Sequence, residues 1–339
     1  MNQVLSADAA MARAIECARL GLGKTFPNPI VGAVITSATG EFISEGFHQG
    51  ADHAEVVAIN AAKNIPAGAI IYVTLEPCNH QGKTPPCTQA IVDAGIKKVV
   101  YAVGDPNPIA AGGGEYLRAS GIEVEQGLSE SEATFDNRAW LTKIAKERPR
   151  ITWKIASTMD GKVAAADGTS KWITSELARA DVAVLRSQSD AIVTSTSTVK
   201  ADNPLLTSKG AGNNPVRFVM GGSEIASSAL ILNTDAETIA IKSRDLQELI
   251  TLVKARGFNQ LLIESGPTFG TALMKAGLID EVILYQAPTF FGSGTPSISD
   301  LGVATISERL DFEIADVQVI GADLKITLIK SANQEEGGR

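Results

Sequence analysis

Cysteine is scarce in this chain: Cys17, Cys78 and Cys87 are the three present in 339 residues. Three is too few, and odd in number, for the disulfide framework of a small secreted domain. A reducing cytoplasm is the simplest expected compartment, where a spaced pair of thiols points to metal. Long apolar runs are missing too, and none approaches the roughly 20 residues of a membrane span. Residues 1–10 lack a basic stretch followed by an apolar core, so no secretory signal is expected. Positive charge is in short supply. The net charge is −8 and the sequence pI about 5.1, which argues against a free-standing nucleic-acid binder. A local basic pocket for a phosphorylated small molecule stays open. No G-x-G-x-x-G follows a strand, so a Rossmann dinucleotide site is not indicated. There is no internal repeat, and the one biased stretch is the polar tail ANQEEGGR (332–339), expected to be disordered.

What is present is an ordinary globular mixture, 44% hydrophobic and 20% charged. The length exceeds what one hydrophobic core usually serves, so two domains are expected. Apolar spacing predicts a helix over 8–22, capped by Ser6 or Asp8, with Cys17 as a buried thiol inside it. Strands follow at 30–36, 42–46, 70–75, 97–103 and 122–126, with helices at 53–63, 85–94, 113–120 and 130–146. Strands alternating with helices imply an α/β layered sheet. The charged run KIAKERPR (143–150) marks a boundary, giving domains 1–146 and 147–331 ahead of the tail. In the second domain, strands are expected at 151–157, 190–195, 215–220, 238–242, 259–265 and 281–288, with helices at 176–187, 245–256 and 268–276. A closing antiparallel pair is expected at 311–320 and 323–330.

The residues that carry chemistry are His53-Ala54-Glu55, Glu76-Pro77-Cys78 and Pro85-Pro86-Cys87. A catalytic zinc takes three protein ligands and keeps one position for water. One imidazole (His53) and two thiolates (Cys78, Cys87) supply them, and the ion makes water nucleophilic near neutral pH. Deamination also needs a proton shuttle. Glu55, two residues past His53, is placed to serve without being a ligand. H-x-E followed by P-C is the known signature of zinc deaminases. Cys78 follows an apolar strand. Thr84-Pro85-Pro86-Cys87 reads as an N-cap, two prolines and a helix start, which would favour a thiolate at Cys87. The cysteines are separated by a longer loop than the two residues usual in nucleoside deaminases. That loop carries His80 and Lys83, suited to a polar, phosphorylated substrate; Lys83 alone also fits a solvated loop.

With these motifs in view, the chain resembles the bifunctional deaminase–reductase family of riboflavin biosynthesis over nearly its whole length. The first-half segments are TFPNPIVGAVI (25–35), HAEVVA (53–58), YVTLEPCNHQGKTPPC (72–87) and DPNPIAAGGG (105–114). The second-half segments are WKIASTMDGKVA (153–164), SKWITS (170–175), TVKADNPLLT (198–207) and ESGPTFGTAL (264–273). The resemblance implies a three-layer domain like cytidine deaminase followed by a domain like dihydrofolate reductase. The first would hydrolyse the amine of 2,5-diamino-6-ribosylamino-4(3H)-pyrimidinone 5′-phosphate, with zinc. The second would reduce the ribosyl chain of the product to ribityl, with NADPH. It implies zinc ligation by His53, Cys78 and Cys87, proton transfer by Glu55, and pyrimidine contact by Asn28, with His48, His80 and Lys83 also on the substrate side. Without the family, Asn28 is an ordinary turn residue between prolines.

In the second domain the resemblance places Ala156, Trp172, Thr198, Asp202, Gly266, Pro267 and Thr268 at the cofactor. It places Lys154, Ser170, Arg186, Leu206, Lys209 and Glu264 at the substrate. Backbone amides at the Gly266 helix start can hold a phosphate. Asp202 and Glu264 are the carboxylates to consider as proton source or orienting group. Apart from the family, Trp172 reads as a core aromatic and Asp202 as a turn residue. Three departures stand out. Lys209 replaces an arginine, which keeps the charge and loses the fork. Gly221 stands where many relatives have an acid, and the 221–260 stretch is short. Val57 replaces a histidine common after H-A-E. A homo-oligomer is expected, with neither nucleic acid nor membrane as partner. Two other readings compete: a zinc deaminase of another base or nucleoside with a non-catalytic second domain, and a zinc-stabilised assembly protein. An intact Glu55 argues against the latter, because a structural zinc site needs no proton shuttle.

Overall fold

The structure is a computed structural model and describes residues 3–81 and 85–331. Lys83, Thr84 and the polar tail lie outside the described residues. The chain separates into two compact units, Met1–Glu147 and Arg148–Arg339. The sequence had suggested a division one residue earlier.

In the first unit the order is α1 (Ala7–Arg19), β1 (Gly32–Thr36), β2 (Phe42–Phe47), α2 (Ala54–Ala61), β3 (Ile70–Leu75) and α3 (Cys87–Asp93). There follow β4 (Lys98–Val103), α4 (Gly113–Ala119), β5 (Glu123–Gln126), α5 (Glu130–Asp136) and α6 (Arg138–Lys146). The sheet order is β2-β1-β3-β4-β5. β1 runs antiparallel to both neighbours, and β3, β4 and β5 are parallel. Gly32 pairs with Phe47 and Ala33 with Gly46, so Gly32 and Gly46 project from opposite faces. A Cβ on Gly32 would lie 1.9 Å from the Ala14 carbonyl oxygen of α1, and one on Gly46 2.5 Å from the Ala58 nitrogen of α2. The two glycines therefore let a helix lie against each face, which makes three layers. Ala14, Ile15, Val34, Ile71, Val73 and Val99 form the core between them.

Two local expectations need correction. The helix foreseen over 130–146 is broken at Asn137, between α5 and α6. The Asn137 side chain accepts from the Ile30 N–H at 3.0 Å and donates to the Ile30 carbonyl at 2.7 Å. That tertiary bond outweighs the helical periodicity. The N-cap of α3 falls on Pro86, not Thr84, and Cys87 is the first helical residue. At α1 the cap is Ser6, whose side chain accepts from Ala9 N–H.

In the second unit the order is β6 (Arg150–Thr158), β7 (Lys162–Ala164), α7 (Glu176–Ser187), β8 (Ala191–Ser195), α8 (Thr196–Asp202), β9 (Val216–Met220) and β10 (Thr238–Ile241). It continues with α9 (Leu246–Ala255), β11 (Gln260–Ile263), α10 (Pro267–Lys275), β12 (Glu281–Ala287), β13 (Thr295–Pro296), β14 (Phe312–Ile320) and β15 (Asp323–Lys330). The main sheet runs β10-β9-β8-β11-β6-β12-β15-β14. It is parallel from β10 to β12, and β15 and β14 close it as an antiparallel pair. The strands β7 and β13, which pair with each other, and the helix α8 carry too few residues to leave a periodic signal. Ile151, Trp153, Val193, Phe218, Leu261 and Leu273 pack the core.

Candidate active sites

The sequence brings the three metal-ligand candidates to element ends. His53 is the N-cap residue of α2, Cys78 lies three residues past β3, and Cys87 opens α3. Their ligand atoms all lie within 4.8 Å of one another. His53 Nδ1 is 3.1 Å from Cys87 Sγ and 3.5 Å from Cys78 Sγ. A tetrahedral zinc with bonds of about 2.1 Å to nitrogen and 2.3 Å to sulfur holds such atoms roughly 3.6–3.8 Å apart. The donor set therefore fits zinc with little movement. The protons tell the same story. The Cys87 hydrogen bond pulls the Cys78 thiol down to about 4, while Cys78 and burial push Cys87 up. The Cys78 hydrogen bond raises His53. Without metal the three groups thus share protons, which a divalent cation would displace on binding.

Glu55 sits in the first turn of α2 and is 3% exposed. Burial pushes its carboxyl up to about 7, a value suited to taking and giving a proton near neutrality. Glu55, His53 and Cys78 line a cavity of about 270 Å3 together with Asn28, His48 and His80. His48 is buried and lies 3.3 Å from the Asn28 amide nitrogen. Burial, with His53 nearby, pulls His48 down to about 4, so it is neutral and can accept from that amide. His80 Nδ1 is buried and has no hydrogen-bond partner among the described residues. An orphaned polar atom on a cavity wall is costly unless a ligand or water meets it.

Sequence reasoning missed part of this wall. Glu76, Asp105, Asn107, Trp140, Lys143 and Ile144 also line the cavity. The DPNP stretch was a visible signal for Asp105 and Asn107. The three residues of α6 carried no motif and reach the cavity only because Asn137 and Lys143 dock α6 on the Asn28 segment. Lys143 Nζ donates to the Pro27 carbonyl at 3.3 Å.

In the second unit Thr198 and Asp202 follow β8, and Glu264 and Gly266 follow β11, at strand ends where open parallel sheets form their crevices. Thr198, in α8 after β8, meets the turn after β11. Its hydroxyl is 3.3 Å from the Ser265 hydroxyl and accepts from Gly266 N–H at 3.3 Å. Ser195 joins them, 3.0 Å from Ser265. Ser195 was not anticipated, whereas Ser265 belongs to the turn 265–268 already expected at the cofactor. Gly266 caps α10 with no side-chain hydrogen bond, Pro267 and Thr268 form the first turn, and a Cβ on Gly266 would meet nothing within 4 Å. Open space before uncapped amides suits a phosphate-bearing cofactor.

Glu264 is held by Arg186 through hydrogen bonds of 2.6 and 2.9 Å, with Lys154 Nζ 4.0 Å away. Burial pushes the Glu264 carboxyl up, but Arg186, Lys154 and Lys209 together hold it below the usual range. Burial lowers Lys154 in turn, opposed by Glu264 and Asp202. Arg186 also donates to the Thr207 carbonyl at 3.2 Å, tying in the segment with buried Leu206. The Asp202 carbonyl accepts from Lys171 Nζ at 2.7 Å. Trp172 is 68% exposed, not a core aromatic, and Arg179 lies 4.5 Å above its ring. Ala156 lies on β6 and Ser170 on the segment before Trp172.

Comparison with known proteins fits both halves. Residues 5–103 match the cytidine and deoxycytidylate deaminase zinc-binding region, and residues 149–326 the RibD C-terminal domain. The RibD riboflavin biosynthesis protein of Mycobacterium tuberculosis (strain H37Rv) is 42% identical, the match covering 97% of this chain and 99% of that protein. That of Escherichia coli K12 is 36% identical over 94% of this chain and 98% of its own. The solved diaminohydroxyphosphoribosylaminopyrimidine deaminase/5-amino-6-(5-phosphoribosylamino)uracil reductase of Thermotoga maritima superposes with a TM-score of 0.88. It is 33% identical, over 96% of this chain and 98% of that one.

Fold and sites thus define a bifunctional hydrolase and oxidoreductase. A cytidine-deaminase-like domain is joined to a dihydrofolate-reductase-like domain. The chain belongs to the RibD family of riboflavin biosynthesis. Zinc serves its deaminase half and NADPH its reductase half, and the family acts on a small phosphorylated pyrimidine.

Proposed function

We propose that the chain deaminates 2,5-diamino-6-ribosylamino-4(3H)-pyrimidinone 5′-phosphate and then reduces the ribosyl chain of the product to ribityl. One observation carries the reading. His53, Cys78 and Cys87 converge within 4.8 Å beside the buried Glu55, in a cavity that also presents Asn28, His48 and His80. Held by those three ligands, zinc supplies a Lewis acid that brings water ionisation near neutrality. Glu55 carries one proton from water to the ring nitrogen and then a second, from the oxygen now bonded to the ring carbon, to the departing amine. Water's oxygen becomes the ring carbonyl, and ammonia leaves. Asn28, held by neutral His48, orients the pyrimidine. His80 and Lys83 serve the polar, phosphorylated end.

In the second unit NADPH, when bound, would supply a hydride to the sugar carbon, and a proton drawn from water would complete the reduction. Thr198, Gly266, Pro267 and Thr268 hold its phosphate-bearing part, with Ala156, Trp172 and Asp202 along the same crevice. Arg186 and Lys154 hold Glu264 charged, and Ser170, Leu206 and Lys209 complete the substrate side. Lysine at 209 gives a point charge for a phosphate. The reaction takes place in the cytoplasm, in keeping with three unpaired thiols. No helix among the described residues is long and apolar enough to cross a membrane.

The chain self-associates, and the edge strand β14 supports this. Ile314, Val317 and Val319 are exposed on it, an apolar row beside the charges of Glu313 and Asp316. The test of function is incubation of zinc-loaded protein with the pyrimidinone phosphate, with and without NADPH, followed by product mass analysis. Ammonia release without NADPH, and two further hydrogens in the product with it, are expected. Preferred release of ammonia from cytidine or adenosine would contradict the reading.

A further inference from the structure

Glu76 has no role in the account so far, yet it is tied twice into the deaminase cavity wall. It follows β3 directly and precedes Cys78 by two residues. Its Oε1 accepts from Gly114 N–H at 2.8 Å and its Oε2 from Asp105 N–H at 3.1 Å. Those amides stand at the two ends of the segment 105–114, so one carboxylate closes it. Within the segment, Asp105 Oδ1 accepts from Asn107 N–H at 2.8 Å and Asn107 Oδ1 from Ile109 N–H at 3.2 Å. Asn79 N–H donates to the Ala110 carbonyl at 3.2 Å. The segment is thus fastened to the turn that carries Cys78.

Two glycines make the approach possible. A Cβ on Gly113 would lie 1.8 Å from the Pro77 carbonyl oxygen, and one on Gly114 2.8 Å from the Tyr101 hydroxyl. The fastened segment then shows Asp105, Asn107 and Ala110 to the cavity, facing Glu55 and Cys78. We infer that Glu76 is a positioning residue for the deaminase substrate. It fixes the polar wall of Asp105 and Asn107 at a set distance from the metal-ligand turn. A carboxylate suits the task because both oxygens only accept, and both partners only donate. Glutamine has the same size but turns an NH2 group toward one of the two N–H donors. Glu76 acts through the wall and not on the reacting atoms, so its loss falls on binding.

This inference rests on the deaminase reading, and the experiment separates the two. Full-length zinc-loaded wild type and Glu76→Gln are compared in deamination of the pyrimidinone phosphate. Zinc content and NADPH-dependent reduction of the deaminated pyrimidine are measured on the same samples. KM for deamination rises about tenfold, as losing one charge-assisted hydrogen bond implies, with kcat little changed. Zinc content and reduction stay as in wild type, and the Asp105 and Gly114 amides exchange hydrogen faster. Unchanged KM, or a fall in kcat and zinc content together, would mark Glu76 as a fold brace and overturn the inference. Should the variant not fold, hydrogen exchange on wild type decides. Deaminated product bound in the cavity slows exchange across 105–114, and no slowing there contradicts the inference. No ammonia from wild type overturns the deaminase reading itself. Ammonia from wild type with an unmoved KM in the variant overturns only the role of Glu76.

Discussion

Asn137 satisfies both backbone groups of Ile30 with one amide, at 3.0 and 2.7 Å, and is 4% exposed. The bond joins the α5–α6 break to the segment that carries Asn28. Asn137→Ala leaves a buried N–H and a buried carbonyl without partners. It is expected to lower stability by about 2 kcal/mol or more and to raise KM for deamination. Urea unfolding and steady-state kinetics check both. Unchanged stability would show that water replaces the amide.

The Arg186–Glu264 pair gives a prediction for pH. Glu264 is held below the usual carboxylate range in the folded protein. A depressed folded pKa contributes stability above the unfolded value of about 4.3, and that contribution is lost as pH falls through the folded value. Unfolding followed by urea from pH 7 to pH 3 should therefore show a loss of stability at the acid end that is smaller in Glu264→Gln. Arg186→Ala leaves Glu264 with Lys154 4.0 Å away as its nearest cation in an ion pair, and should cost about 3–5 kcal/mol.

Gly221 explains its own departure from the family. Its φ is +134°, and a Cβ there would lie 2.5 Å from the buried Thr196 hydroxyl oxygen. An acidic side chain has no room beside Thr196 in this chain. Gly221→Asp is expected to destabilise the protein by about 1–3 kcal/mol, read by thermal unfolding. Equal stability would mean that Thr196 moves aside at no cost.

Each unit has its own core and its own site, so the two reactions should be separable. Chelation of zinc should abolish ammonia release and leave NADPH-dependent reduction of the deaminated pyrimidine intact. Loss of both together would show that the reductase half needs the metal. Separate expression of 1–146 and 147–339 should give two folded proteins.

Much of the fold was legible because alternation and helical spacing are local signals. Strand 70–75 was expected at the bounds observed for β3, and helix 176–187 at those of α7. The metal cluster was legible because its chemistry demands few residue types in a fixed order. What escaped was tertiary. The break at Asn137 comes from a bond to Ile30, 107 positions away. The approach of α6 to the cavity, and the clustering of Ser195 and Ser265 with Thr198, likewise depend on contacts that spacing does not encode. Trp172 was misjudged without the family because its environment, an arginine over an exposed ring, leaves no periodic trace.

The most direct test of the central claim is Glu55→Gln, assayed for metal and for ammonia release in the same preparation. With His53, Cys78 and Cys87 intact, zinc should bind as in wild type, while deamination falls by several orders of magnitude and reduction continues. Ammonia release equal to wild type from the zinc-loaded variant would contradict the account.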